Sequence, residues 1–431
     1  MKDSGIEWVG EIPEEWQIIG VTKCCNIISG TGFPIQYQGN INNEFPFYKV
    51  SDTNLENNTV YMNNCNNTIK KEEIKNLKGK IAPKNSIIFP KIGAVLLKNK
   101  RRILTKPSIF DNNMMALVPK RHHEKFLYYF LLVEDFLRIV NPGPVPSLGD
   151  SNISLVKVPL LPKIEQNQIA EFLDSQTSKI DLEIEKNEKL VTILQEKKQA
   201  TINHAVTKGL DDSVPMKDSG IEWIGEIPEE WKIIKLNLLT EKIGDGIHST
   251  PNYVDESEYF FVNGNNLING KILFFDNTKN ISKLEYEKFK LDLHEKTVFL
   301  SINGTIGNVA LYNNEKIMLG KSACYMNCND DLDRVFFFYL LKSFCITTYF
   351  KLELTGTTIF NLSLESIKKT PIPLPILNKQ KQIAEFLDKQ TKKFDELISK
   401  AKLQIKTLQE YRQSLISSAV TGKIDVREAI A

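Results

Sequence analysis

The chain has 431 residues, room for two or three domains, and 42% hydrophobic content gives each enough material for a core. A formal net charge of +2 with 25% charged residues neither supports nor excludes nucleic-acid binding, so any such surface must come from local clusters of Lys and Arg. No run approaches the roughly 18 apolar residues of a membrane span, the first residues hold no apolar signal core, and Cys24, Cys25, Cys65, Cys324, Cys328 and Cys345 form no metal-ligand spacing; a cytoplasmic chain without membrane contact or metal is expected, its cysteines serving as small buried hydrophobes.

Residues 1–20 return almost letter for letter as 216–235, with Trp8 and Trp16 recurring as Trp223 and Trp231. A period of about half the chain means duplicated domains, not a solenoid, and tryptophans identical in both copies read as scaffold. From 16 to 158 short apolar runs such as 45–50 and 86–92 alternate with Gly, Asn, Asp and Pro, the pattern of strands in a mixed sheet, and apolar periodicity over 125–140 predicts one amphipathic helix. Lys91, Lys98, Lys100, Arg101 and Arg102 lie between these strands, with Gln36, Tyr37 and Gln38 upstream. Such a mix suits phosphate contact plus base reading, although a plain solvated loop has the same composition.

Prolines 159 and 162 then stiffen the entry to residues 166–208, which lack Pro and Gly and predict one uninterrupted helix ended by Gly209. Leu173, Ile180, Asn187 and Leu194 recur every seven residues, with Ile184 and Val191 at the companion positions. Asn187 could fix register at some cost in stability or be a tolerated polar contact.

The second half repeats the plan. Residues 231–370 read as strands, for example 297–302, with one amphipathic helix over 332–349; His248, Ser249 and Thr250, Asn263 and Asn265, and Ser301, Asn303 and Thr305 offer compact polar loops. Asn54-Leu55 aligns with Asn266-Leu267, and Ile92-Gly93 with Ile306-Gly307. A second helix, 379–421, carries Leu387, Phe394, Ala401, Leu408 and Leu415 at heptad spacing, with Ile398 and Ile405 beside them. The link at 210–215 is too short to span a rod of ~40 residues and ~60 Å, so antiparallel pairing of the two helices is expected. The alternative is that each seam packs on its own globule.

The sequence carries no recognisable catalytic or cofactor motif. There is no Asn-Pro-Pro-aromatic loop with a glycine-rich cofactor turn, 141–144 being only a turn; Gly320-Lys321-Ser322 lacks the upstream glycine of a phosphate cradle; the five histidines are scattered. An unrecognised active site, or a coiled-coil scaffold binding protein or RNA, stays open at this point.

Pro159-Leu160-Leu161-Pro162, Glu165-Gln166 and Ile169-Ala170-Glu171-Phe172-Leu173-Asp174 open the first long helix, and Ile383-Ala384-Glu385-Phe386-Leu387-Asp388 the second, with Lys379-Gln380 in place of Glu-Gln. Two variable domains each followed by this pattern resemble the specificity subunit of type I restriction-modification enzymes, as do Phe89-Pro90-Lys91-Ile92-Gly93-Ala94, Asn99-Lys100-Arg101-Arg102-Ile103-Leu104 and Asn361-Leu362-Ser363-Leu364. The resemblance implies an α+β chain in which two globular mixed α/β target-recognition domains are separated by two long antiparallel coiled-coil helices, an internal pseudo-twofold repeat. Its parts would be target-recognition domain 1 (1–155), conserved region 1 (156–210), a linker (211–215), target-recognition domain 2 (216–370), conserved region 2 (371–425) and a tail (426–431). It further implies a non-catalytic reader of a bipartite, asymmetric double-stranded DNA site. Two modification subunits holding S-adenosylmethionine would methylate adenine N6, and a restriction/translocase subunit using ATP and Mg would cleave; the reader itself would bind no cofactor.

Overall fold

The computed structural model describes residues 1–141, 143–356 and 360–427; Pro142 of the turn at 141–144 and residues 428–431 of the tail lie outside them. The chain forms two compact units, Met1–Asn187 with the segment from Leu403 onward, and Glu188–Lys402. These units cut through both long helices rather than at residues 210 and 371, because each globule takes the adjoining half of each helix into its own packing.

In the first unit β1 (Gln17–Gly20) is followed by β2 (Cys25–Ser29), β3 (Phe45–Tyr48), β4 (Ile87–Pro90), β5 (Arg102–Leu104), β6 (Ile109–Phe110) and β7 (Met114–Pro119). Helix α1 (Glu124–Val133), strand β8 (Lys157–Leu160) and helix α2 (Lys163–Lys208) complete it. β7 runs antiparallel between β2 and β4, placing Ala116 opposite both Ile28 and Ile88, while β3 and β6 pair in parallel. Alternation decides the two faces of β7: Met115 and Leu117 enter the core with α1 and α2, whereas Met114 and Ala116 enter a second cluster with Tyr48 and Phe110. A strand covered on both sides has to be apolar throughout, which is why it reads as an unbroken run.

The second unit repeats this with β9 (Lys232–Lys235), β10 (Thr240–Asp245), β11 (Phe260–Val262), β12 (Thr297–Ser301), β13 (Val309–Leu311), β14 (Ile317–Leu319) and β15 (Ala323–Cys328). β15 lies antiparallel between β10 and β12, and β11 pairs in parallel with β14. Next come α3 (Arg334–Leu341), α4 (Phe344–Glu353), β16 (Pro371–Leu374) and α5 (Leu377–Val420). The sequence predicts one helix over 332–349; there are two, bent by 62°. Ser343 makes the break: it is extended at φ −73, ψ 158, and its buried hydroxyl donates to Leu340 O at 2.5 Å, competing with helical bonding. No single described helix is long and apolar enough to cross a membrane.

The long helices cover the expected spans, and the positive-φ residues Gly209 and Gly422 follow them. Leu173, Ile180, Asn187, Leu194, Leu387, Ile398 and Ala401 are buried, and Ile184, Val191, Phe394, Ile405, Leu408 and Leu415 are half-buried. Asn187 donates its amide to Glu183 O of its own helix at 2.8 Å. In each unit the two helices meet antiparallel. Arg412 of α5 grips Asp181 of α2 through Nε and Nη2 (2.8 and 3.1 Å) in the first, and Lys198 of α2 grips Asp395 of α5 (2.6 and 2.7 Å) in the second. Each repeated N-terminal block rests on a helix end. Trp231 and Ile227 pack with Ile202, Ala205 and Val206 of α2, and Trp16 and Ile12 with Ile416, Ala419 and Val420 of α5.

The repeated helix-opening motif is a clamp. Gln166, fully buried, accepts from His123 N (2.7 Å) at the start of α1 and donates to Leu161 O (2.8 Å); Gln380 accepts from Asp333 N (2.8 Å) at the start of α3 and donates to Asp331 O (2.8 Å) and Pro375 O (2.9 Å). About two turns on, Tyr129 Oη donates to Asp174 (2.8 Å) beside Thr177, and Tyr339 Oη to Asp388 (2.7 Å) beside Thr391. The Glu-Gln to Lys-Gln departure has a local consequence. Glu165 accepts from the Trp16 indole at 3.0 Å, whereas Lys379 instead pairs with Glu230.

Candidate nucleic-acid interface

Beyond the ends of the parallel pair β11/β14, five backbone segments of the second unit are tied into one edge. Ile247 donates to Leu319 O (2.8 Å), Lys321 to Ile247 O (3.0 Å), Gly320 to Val262 O (2.8 Å), Ile302 to Ser322 O (2.9 Å), Leu362 to Ile302 O (2.8 Å) and Gly304 to Phe360 O (3.2 Å). The turn after β11 closes on itself, Asn263 N donating to Asn266 Oδ1 at 2.9 Å, and Ser322 Oγ donates to Asn263 Oδ1 at 3.0 Å. The polar loops containing His248, Asn263, Asn265, Asn303 and Thr305 therefore converge.

The first unit builds the same frame. Thr31 donates to Phe110 O (3.0 Å), Asp111 to Tyr48 O (2.9 Å), Leu148 to Lys91 O (2.8 Å) and Gly93 to Pro146 O (2.8 Å), while Lys49 N closes its turn on Asp52 Oδ2 at 2.7 Å. These bonds set Gly93 against Gly304, correcting by three residues the alignment of Ile92-Gly93 with Ile306-Gly307. Both frames depend on a close backbone approach that excludes a side chain. A Cβ on Gly30 would lie 1.8 Å from Asp111 O, and one on Gly246 2.0 Å from Leu319 O.

Among the residues singled out in the sequence, Gln36, Lys98, His248, Ser249, Thr250, Asn265 and Thr305 are exposed, and Tyr37, Gln38, Lys91, Lys100, Asn263 and Asn303 half-buried. His248 Nε2 sits 2.8 Å from Asp245 Oδ2. Three differ from expectation. Arg101 is 1% exposed, its guanidinium stacked between Phe136 (3.9 Å) and Phe89 (5.2 Å), with Nε and Nη2 unpartnered and burial lowering its pKa to about 9; it is a core residue. Arg102 spends its guanidinium on the carbonyls of Asn58, Arg101 and Thr53. Ser301 is fully buried, its hydroxyl accepting from Asn308 N at 2.8 Å. Their side chains hold the frame instead of facing outward.

The frame also brings in residues that the sequence reading passed over. Lys49 directly follows strand β3 at the end of the apolar run 45–50; its ammonium donates to Gln38 Oε1 at 2.6 Å. Exposed Lys321 belongs to the Gly-Lys-Ser stretch that lacks a phosphate cradle, and Asn361, bridged to Asn303, to the Asn361-Leu362-Ser363-Leu364 block that carries the family resemblance. A polar residue just beyond an apolar strand is the signal that marks Lys49 and Lys321; Asn361 follows no strand and carries no such signal. Among the described residues no group of three His, Cys, Asp or Glu could hold a metal ion.

Comparison with known proteins gives this doubled frame its family. The model described as "Type I restriction modification DNA specificity domain" matches the chain twice, at residues 13–192 and 228–407. The chain belongs to that family. As a type I specificity chain it is a component of DNA sequence recognition, and it is 26% identical to the type I restriction enzyme MjaVIII specificity subunit of Methanocaldococcus jannaschii, over 96% of this chain and 94% of that protein. The putative MjaX specificity subunit of the same organism is also 26% identical, over 97% and 96%. Among solved structures, a chain from work on complex assembly and conformational transition of the type I R-M system aligns with TM-score 0.72 at 14% identity, covering 96% of this specificity chain and all of that one. The HsdS subunit of Thermoanaerobacter tengcongensis aligns with TM-score 0.53 at 14% identity, over 96% and 98%. At such identity these two bear on the fold alone, the α+β architecture with two long antiparallel helices.

Proposed function

We propose that this chain supplies the address in a modification and restriction assembly. Each recognition domain would read one half of a bipartite, asymmetric duplex site, and the paired helices would fix the gap between the halves. The observation that carries this reading is the doubled frame, in which the same backbone bonds hold chemically different residues: Lys49, Lys91 and Asp111 in one unit stand where Asn263, Ile302 and Gly320 stand in the other. A protein that needs two addresses on one scaffold varies just those positions.

In this reading the chain carries no chemistry of its own. Two modification subunits would hold S-adenosylmethionine and flip and methylate one adenine in each half-site, and a restriction subunit would add ATP- and Mg-dependent translocation and cleavage. No residue of this chain is assigned to those groups.

Mapping N6-methyladenine in the host genome with and without the gene tests the reading, the expected result being one gapped motif that disappears with the gene. Exchanging residues 16–155 for those of a relative should then rewrite one half of the motif and leave the other. An assembled complex that retained no DNA sequence against excess competitor would favour a plain coiled-coil scaffold instead.

A further inference from the structure

The two edges share a backbone frame but not a charge. Around the first stand Lys49, Lys91, Lys98 and Lys100, none of them in an ion pair among the described residues: Lys49 donates to Gln38 and lies 5.4 Å from the Phe33 ring centre, Lys91 reaches Ser29 Oγ at 3.3 Å, Lys100 is held by the Asn54 amide, and Lys98 is exposed. Two of the carboxylates in the same frame are turned inward. Asp52 is fully buried and Asp111 half-buried, and burial lifts both above the usual carboxylate range. Asp150 is exposed, linked to Lys91 only through the Ser29 hydroxyl, which donates to it at 2.7 Å. Positive charge is crowded enough that the Lys100 ammonium is disfavoured, first by burial and then by Arg102 and Lys98.

At the second edge Asn263 stands at the position of Lys49 and Ile302 at that of Lys91, and the polar residues around them are chiefly amides and hydroxyls. Asn263, Asn265, Asn303, Asn361, Ser249, Thr250 and Thr305 surround the exposed Lys321; exposed Lys279, whose carbonyl accepts from Phe261 N, lies over the Tyr253 ring at 6.0 Å, and His248 is held by Asp245. We propose that the two half-sites are gripped by different forces: the first domain supplies most of the ionic hold on the phosphate backbone, and the second discriminates through neutral contacts to base edges. This rests on the DNA-reading role proposed above. Each lysine–phosphate contact releases a counterion and steepens the fall of log K with log[salt] by about 0.9. An asparagine reading adenine contributes discrimination with no such slope.

The test uses the full chain assembled with its modification subunits, titrated with duplex carrying its methylation motif across a salt series. Lys98→Ala with Lys100→Ala should flatten the slope by about 1.8 while preserving discrimination at the second half-site; Lys98→Ala alone, at an exposed position, should flatten it by about 0.9 and guards against a folding artefact. Asn265→Ala with Asn303→Ala should leave the slope within about 0.3 and lower discrimination against a mutated second half-site by about tenfold or more. Specific binding with an unchanged slope in the lysine variants, or with a slope that falls as far in the asparagine variants, overturns the division of forces. A wild-type complex that prefers no sequence would overturn the DNA-reading role itself.

Discussion

Replacing Gln166 by Leu keeps the volume at a fully buried position but removes both bonds of the first clamp. Leu161 O loses its partner in a buried setting and His123 N loses its partner in a partly buried one. An unpaired buried polar group costs about 1–3 kcal/mol, so the pair should cost about 2–4 kcal/mol, the half-exposed amide contributing the smaller share. At tenfold per roughly 1.4 kcal/mol, the slowest amides of α1 and β7 should exchange about 30- to 700-fold faster in native-state hydrogen exchange. Those of α3 and β15 in the other unit should stay within about twofold, because Gln380 makes an independent clamp there. Gln380→Leu should give the mirror pattern. Acceleration below about threefold in the first unit, or equal acceleration in both, would refute the idea that one buried amide fastens each globule to its helix.

Other perturbations probe neighbouring features. Glu134, 7% exposed, has its pKa raised from 4.5 to about 7 by burial, with Arg138, Trp8 and Arg101 pulling the other way and Asp135 adding to the rise. The folded state thus keeps a proton that the unfolded chain loses between pH 4.5 and about 7, so stability falls as pH rises through that window. Glu134→Gln should exceed wild type by up to about 3 kcal/mol at pH 8 and match it at pH 4, as read by urea denaturation of the first unit. Arg101→Met removes a buried cation with two unpartnered N–H groups; urea melts should show it neutral to about 3 kcal/mol more stable, with DNA affinity unchanged. Seven residues inserted into both helices at the level of Asn187 and Ala401 keep the seam in register and add about 10 Å of rod. The methylated motif should then gain about three base pairs of gap at 3.4 Å per pair, with both halves unaltered.

The duplication and the long helices were legible because both are periodic. Residues 1–20 against 216–235, and Leu173 to Leu194 against Leu387 to Leu415, need only counting. The clamp shows itself as a motif without a reason: nothing in Glu165-Gln166 says that the side-chain amide will join the nearby Leu161 carbonyl to the backbone N–H of His123, 43 residues away in sequence. The basic run 98–102 misled, because charge alone does not tell a side chain facing water from one stacked between Phe89 and Phe136. Ser343 breaks a helix whose apolar periodicity runs straight through it, and Lys321 sits in a Gly-Lys-Ser stretch that says nothing of its bond to Ile247 O. The stacking of Arg101 and the placement of Lys321 rest on contacts between residues far apart in the chain, whereas the Ser343 break rests on a bond to Leu340 O three residues back.

One feature of the packing bears on how the molecule is made. Trp16 and Ile12 rest on Ile416, Ala419 and Val420, so the ribosome must travel some 400 residues beyond the opening block before emitting the piece that covers its underside. A message cut short after the second globule would leave that apolar floor open to proteases and chaperones. Half-made chains would thus be marked for clearance by the same apolar surface that the finished chain buries.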